Sequence, residues 1–138
     1  MTGEVRLTKL PSTVALFRMS AVMWNAHRVH YDEAYATGIE GHAGLLVPAN
    51  LLSSYLCEAA MAWGGPAGRL LRMTFRTRAP VLAGTVLTVR ASEVSIGSSD
   101  GHRVAELDLG VDDAAGGTPV TGTAWVRLPI EPIEPEAP

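Results

Sequence analysis

Residues 49–63 read ANLLSSYLCEAAMAW and are followed by Gly64, Gly65 and Pro66. Apolar side chains recur there at the spacing of one helix face, namely Leu51, Leu52, Tyr55, Leu56, Ala59 and Trp63. Pro48 suits the first turn of a helix, and the two glycines with Pro66 end one sharply. Because most other positions are also apolar or small, we predict one long, buried helix over residues 49–63.

After this helix, apolar and polar residues alternate, which is the pattern of a strand. We predict strands over residues 69–78, 85–94, 102–111 and 120–128, with turns rich in Gly, Pro and Asp between them. The first 45 residues are mostly irregular, with a short strand at Val5–Leu10, an unassigned apolar stretch at Val14–Trp24 and a short helix at Asp32–Thr37. The predicted fold class is α+β, an antiparallel sheet wrapped around one long central helix.

The composition indicates a single globular domain. The chain has 138 residues, of which 47% are hydrophobic and 18% charged, so it is neither disordered nor fibrous. We place the domain at residues 1–128. Prolines at positions 129, 132, 135 and 138 separate the glutamates of residues 129–138, and we expect this Pro/Glu-rich tail to be disordered.

Charge and cysteine content exclude several classes of function. The chain has 11 basic and 14 acidic residues, and three of the acids lie in the last eight positions. The neutral body predicts no nucleic-acid partner and no membrane partner. Cys57 is the single cysteine, so no internal disulfide can form. Since we find neither a signal sequence nor a long apolar run, we expect a cytoplasmic protein.

The densest group of polar residues is the segment WNAHRVHYD at residues 24–32, which holds two of the four histidines. An imidazole exchanges protons near neutral pH, so His30 is a candidate acid/base group. The alternative is a solvated loop in which Asp32 caps the short helix and the histidines are surface polar residues. His27 and His30 are three residues apart, but the other histidines lie in unrelated segments. We therefore expect no metal site.

This segment also carries a family resemblance. Residues 17–32, together with 40–47 and 76–84, resemble the MaoC-like dehydratases, and more narrowly the hydroxyacyl-thioester dehydratase type 2 and mesaconyl-CoA hydratase branch. The resemblance implies the hot-dog fold. It also implies a hydro-lyase that adds water to a 2-enoyl thioester or removes it from a 3-hydroxyacyl thioester. Members work as dimers of hot-dog units with the thioester channel at the interface.

The resemblance assigns roles to particular residues. In the common motif an aspartate lies five residues before the catalytic histidine. His30 matches the histidine and Asn25 the aspartate, a change that also occurs in the branch named above. The family usually has His-Gly at the start of the central helix, where this chain has Pro48-Ala49. The predicted catalytic residues are His30 and Asn25, and the predicted substrate-binding residues are Ala49, His27, Arg28 and Asn50.

The resemblance predicts no cofactor beyond the coenzyme A or phosphopantetheine that the substrate itself carries. The expected partners are a small-molecule acyl thioester and a second hot-dog chain, in a homodimer or a heteromer. Two further functions remain open because Asn25 and Pro48-Ala49 depart from the common motif. The chain is then either a non-catalytic or half-catalytic subunit of a heteromeric hydratase, or a hot-dog unit redirected to another thioester or biosynthetic reaction.

Overall fold

The computed structural model describes residues 3–130. Its helices are α1 (Thr13–Val22), α2 (Glu33–Gly38) and α3 (Ala49–Gly64), with a single 3₁₀ turn at Arg28–His30. Its strands are β1 (Glu4–Lys9), β2 (Arg69–Thr77), β3 (Leu87–Ser99), β4 (His102–Asp113) and β5 (Val120–Arg127). The predicted disordered tail falls almost entirely on residues 131–138, which lie outside the described residues.

The five strands form one antiparallel sheet in the order β1-β3-β4-β5-β2. Helix α3 packs against all five strands, and the core between them includes Leu56, Leu107, Leu109 and Val126, each with no exposed surface. The α+β arrangement of a sheet around one central helix, predicted from the sequence, is confirmed. It is the hot-dog fold.

Four details add to the sequence prediction or correct it. The apolar stretch at Val14–Trp24 contains α1, which begins at the N-cap Ser12, whose hydroxyl accepts from the Ala15 N–H. Strand β2 lies at the sheet edge beside β5, and β3, β4 and β5 pair with one another in sequence order. Strands β3 and β4 are joined by a two-residue turn because Asp100 and Gly101 both adopt positive φ. Helix α3 is buried on one face only, and its opposite side exposes Ser54, Glu58 and Ala62.

Candidate active site

The candidate site lies in the loop between α1 and α2. Trp24 adopts the left-handed region with φ of 53° and turns the chain back, and the Asn25 N–H donates to the Ser20 carbonyl at 2.8 Å. The side-chain oxygen of Asn25 accepts from the His27 N–H at 3.1 Å. These bonds fix the first half of the loop against the end of α1.

The second half of the loop is fixed to the segment that precedes α3. The buried Val29 anchors the 3₁₀ turn, and its carbonyl accepts from the Leu46 N–H at 3.0 Å. The Val47 N–H in turn donates to the Val81 carbonyl at 2.8 Å. The loop, the start of the central helix and the connection between β2 and β3 are therefore held together by backbone hydrogen bonds.

His30 is half-buried, and its Nδ1 lies 2.8 Å from the Leu46 carbonyl oxygen. Because a carbonyl only accepts, Nδ1 carries the hydrogen of this bond. In the neutral ring, the lone pair is then on Nε2. Leu46 lies three residues before the first residue of α3, so the bond brings the imidazole toward the amino end of that helix.

Helix α3 begins with free backbone donors. Its N-cap is Pro48, which has no N–H and makes no side-chain cap. The Leu51 and Leu52 N–H groups bond to the Pro48 carbonyl, whereas those of Ala49 and Asn50 have no acceptor within residues 3–130. Ala49 is exposed. The Oδ1 atom of Asn50 is buried and has no partner in the described part of the chain. Two amide donors and the positive end of the helix dipole are thus available to an anion or a carbonyl oxygen.

Arg28 is engaged within its own loop. Its Nε and Nη2 donate to Asp32 Oδ2 at 3.0 and 2.8 Å, and its guanidinium lies 4.4 Å from the centre of the Tyr35 ring. The hydrogen bond from Arg28, and then that from the Tyr35 N–H, hold the pKa of Asp32 below its ordinary value. Asp32 is also the N-cap of α2, as predicted from the sequence.

The structure brings some of the predicted site residues into contact and keeps others apart. The rings of His27 and His30 meet edge to face with centroids 5.6 Å apart, and Asn25 contacts His27 through its side chain. Between the side chains of Asn25 and His30, both of which the structure describes, no hydrogen bond forms. Asn25 instead lines an apolar cleft of about 350 Å³ with residues of α1 and the loop, namely Phe17, Ser20, Ala21, Trp24, Ala26 and Tyr31.

Sequence reasoning missed two members of this site. One is the Leu46 carbonyl. No sequence pattern identifies it, because every residue type has a backbone carbonyl. The other is Glu40, whose carboxylate lies 3.0 Å from His27 Nε2 and 3.5 Å from His42 Nε2. Its nearness to His42 in the run Glu40-Gly41-His42 is the only local signal. Over residues 3–130, no group of three His, Cys, Asp or Glu side chains is arranged to hold a metal ion.

The central helix in its sheet, with the histidine loop at the amino end of that helix, defines a hot-dog protein. The model of the family described as hydroxyacyl-thioester dehydratase type 2 matches residues 2–83, more than half of the chain. The chain belongs to that family.

Two curated relatives match part of the chain. Mesaconyl-C(4)-CoA hydratase of Chloroflexus aurantiacus is 39% identical over 74 residues, which are 54% of this chain and 26% of that protein. The mitochondrial hydroxyacyl-thioester dehydratase type 2 of Schizosaccharomyces pombe is 31% identical over 84 residues, which are 60% of this chain and 28% of that protein. The match therefore spans only about a quarter of the length of either relative.

Solved structures share the fold at lower identity. An (R)-hydratase from A. caviae involved in PHA biosynthesis superposes with a TM-score of 0.84 at 22% identity, covering 93% of this chain and 96% of the other. A chain of the ChsH1-ChsH2 complex from Mycobacterium tuberculosis superposes with a TM-score of 0.80 at 13% identity, covering 93% and 97%. These likenesses show the hot-dog fold. In residues 3–130, no helix has the length and apolar character needed to cross a membrane.

Proposed function

We propose that this chain is a hydro-lyase that adds water to a 2-enoyl thioester, or removes it from a 3-hydroxyacyl thioester. The hydrogen bond from His30 Nδ1 to the Leu46 carbonyl carries the proposal, because it leaves Nε2 of a neutral imidazole free to act as a base beside the amino end of α3. Membership of the hydroxyacyl-thioester dehydratase type 2 family supports the same reaction class.

His30 serves as base and then as acid. In hydration, Nε2 accepts a proton from water while the water oxygen bonds to the β-carbon of the enoyl group. The electron pair of the double bond moves toward the thioester carbonyl, and the imidazolium returns a proton to the α-carbon. Dehydration follows the reverse course. One positioned acid/base group contributes about 10²–10⁴-fold in rate.

The amino end of α3 stabilises the charge that develops on the thioester oxygen. The Ala49 N–H has no acceptor among residues 3–130 and lies where the helix dipole favours negative charge. The methyl group of Ala49 narrows the approach that a glycine leaves open, and Pro48 supplies no donor of its own. We assign the oxyanion role to the Ala49 N–H, with Asn50 beside it as a second substrate-binding residue.

Asn25 orients the water rather than exchanging protons, since an amide does not titrate. Its Oδ1 already accepts from the His27 N–H, so its Nδ2 hydrogens are the donors available to a water or a substrate hydroxyl. His27 and Arg28 bind the carrier part of the thioester, which is coenzyme A or the phosphopantetheine of a carrier protein. No other cofactor is needed for this chemistry.

A second candidate is that the chain is a half-catalytic subunit of a heteromeric hydratase. Two features of the sequence favour it, namely an amide rather than a carboxylate at Asn25 and the Pro48-Ala49 pair. The same fold also occurs in the ChsH1-ChsH2 complex, which is named for two chains. Trp24 is 93% exposed and Phe17 is 59% exposed, and both line the cleft. An exposed apolar patch is typical of a protein–protein interface. A second hot-dog chain, identical or different, is the partner that we propose.

The decisive experiment follows crotonyl-CoA hydration through the loss of enoyl-thioester absorbance. We expect the purified chain to catalyse it as a homodimer. Asn25→Asp, which introduces the missing carboxylate, then raises the rate. Activity that appears only after co-expression with a second hot-dog chain would instead establish the half-catalytic subunit. A stable homodimer that is inert toward enoyl thioesters of coenzyme A and of a carrier protein would refute both candidates. The remaining function would then be a hot-dog unit redirected to another thioester or biosynthetic reaction.

A further inference from the structure

The carboxylate of Glu40 lies between two histidine rings. Its Oε1 lies 3.0 Å from His27 Nε2, and its Oε2 lies 3.5 Å from His42 Nε2. The hydrogen bond from His27, followed by that from Tyr35, holds the pKa of Glu40 below its ordinary value. The same bond to Glu40 raises the pKa of Tyr35. Glu40 is therefore an ionised acceptor between two loops and α2.

The contact with His27 connects Glu40 to the proposed site. The backbone N–H of His27 holds the side-chain oxygen of Asn25 at 3.1 Å. The ring of His27 meets the ring of His30 edge to face, at 5.6 Å between centroids and an interplanar angle of 72°. A change in the orientation of the His27 ring therefore acts on His30, the residue to which we assign the acid/base chemistry.

We propose that Glu40 is a positioning residue that fixes the His27 ring and, through the edge-to-face contact of that ring, the orientation of the His30 ring. This inference rests on the function proposed above. Because a carboxylate only accepts, the bond to Glu40 places a hydrogen on His27 Nε2. Glu40 itself touches no reacting atom, and its effect is on geometry.

The bond to Glu40 also gives the half-exposed ring of His27 a partner. The side chain of His27 is 51% exposed, whereas that of Glu40 is 30% exposed. A loop imidazole with that much solvent contact has several rotamers available unless a partner selects one. Glu40 supplies the partner, and His42 lies on the other side of the same carboxylate.

The test compares Glu40→Ala and Glu40→Gln with matched changes at Glu33. Glu33 lies on α2 in the same region, and its side chain forms no hydrogen bond or ion pair within the described residues. For Glu40→Ala we expect kcat to fall about 10–100-fold with KM little changed, since misplacement of a reacting group by about 1 Å costs on that order. Glu40→Gln keeps one oxygen acceptor and loses less. Glu33→Ala and Glu33→Gln retain the wild-type rate.

Imidazole ¹⁵N spectra supply a readout that does not require activity. In the wild type we expect His27 Nε2 to carry a hydrogen, and in Glu40→Ala we expect this signal to move toward that of a mixture of tautomers. Unchanged His27 and His30 signals, or a kcat equal to that of Glu33→Ala, would overturn the inference. If Glu40→Ala does not fold, the isosteric Glu40→Gln decides. An inert wild type with shifted His27 signals would refute the proposed function and leave the positioning intact.

Discussion

Leu46 is the residue through which the histidine loop is attached to the central helix. Its N–H donates to the Val29 carbonyl, and its own carbonyl accepts from His30 Nδ1. The sequence singled out His30 because a histidine in a polar loop is a visible signal. It could not show Leu46, since 16 residues separate the pair and any residue type supplies a carbonyl. Glu40 was missed for a related reason, because its contact with His27 spans 13 residues.

Asp32 has two roles whose loss can be measured separately. It caps α2 through the Tyr35 N–H and pairs with Arg28. Asp32→Ala removes both and should lower the Tm at pH 7. Asp32→Asn keeps a side chain that caps helices well, so the loss should be smaller. Thermal unfolding of the three proteins measures both effects.

The pH dependence of this difference follows from the lowered pKa of Asp32. A depressed carboxyl pKa contributes stability that is fully present above the unfolded value, near 3.8, and is lost as the pH falls through the folded value. The Tm difference between wild type and Asp32→Ala should therefore be constant from pH 7 to pH 5 and shrink in more acid solution. A difference that grows below pH 4 would contradict this account of the cap and its ion pair.

Helix α3 is the element that the sequence predicted best. The prediction of 49–63 is within one residue of Ala49–Gly64, because its apolar spacing is regular and Gly65 ends it with a positive φ of 70°. Helix α1 was not assigned, since its apolar residues do not follow one face. Only Leu16 and Ser20 of α1 are buried, and Val14, Phe17 and Val22 are exposed.

Leu56 tests how much the packing of α3 contributes to stability. Its side chain has no exposed surface, so Leu56→Ala should reduce the free energy of unfolding by about 2–5 kcal/mol through lost burial and the cavity left behind. Leu71 of β2 is 54% exposed, and Leu71→Ala should change the free energy of unfolding by less than about 0.5 kcal/mol. Urea unfolding of both variants measures this. Equal losses would mean that α3 is not the centre of the core.

At the scale of the whole molecule, the sequence predicted the layers but not the strand order. Alternating polarity identifies β2, β3, β4 and β5 as strands, and short turns make β3, β4 and β5 neighbours. The position of β2 beside β5 depends on where the chain crosses the sheet after α3, which local patterns do not encode. The connection from β2 to β3 then brings Val81 against Val47. The sheet order thus helps to assemble the site, since the connection after β2 supports the start of α3.

The most direct measurement is the rate of crotonyl-CoA hydration by His30→Ala, beside His102→Ala as control. His102 begins β4 next to the two-residue turn and belongs to no part of the proposed site. We predict that His30→Ala lowers kcat/KM by about 10²–10⁴-fold while its Tm stays near that of the wild type, and that His102→Ala keeps the full rate. A folded His30→Ala protein that hydrates the thioester as fast as the wild type would contradict the assignment of His30 as the acid/base group.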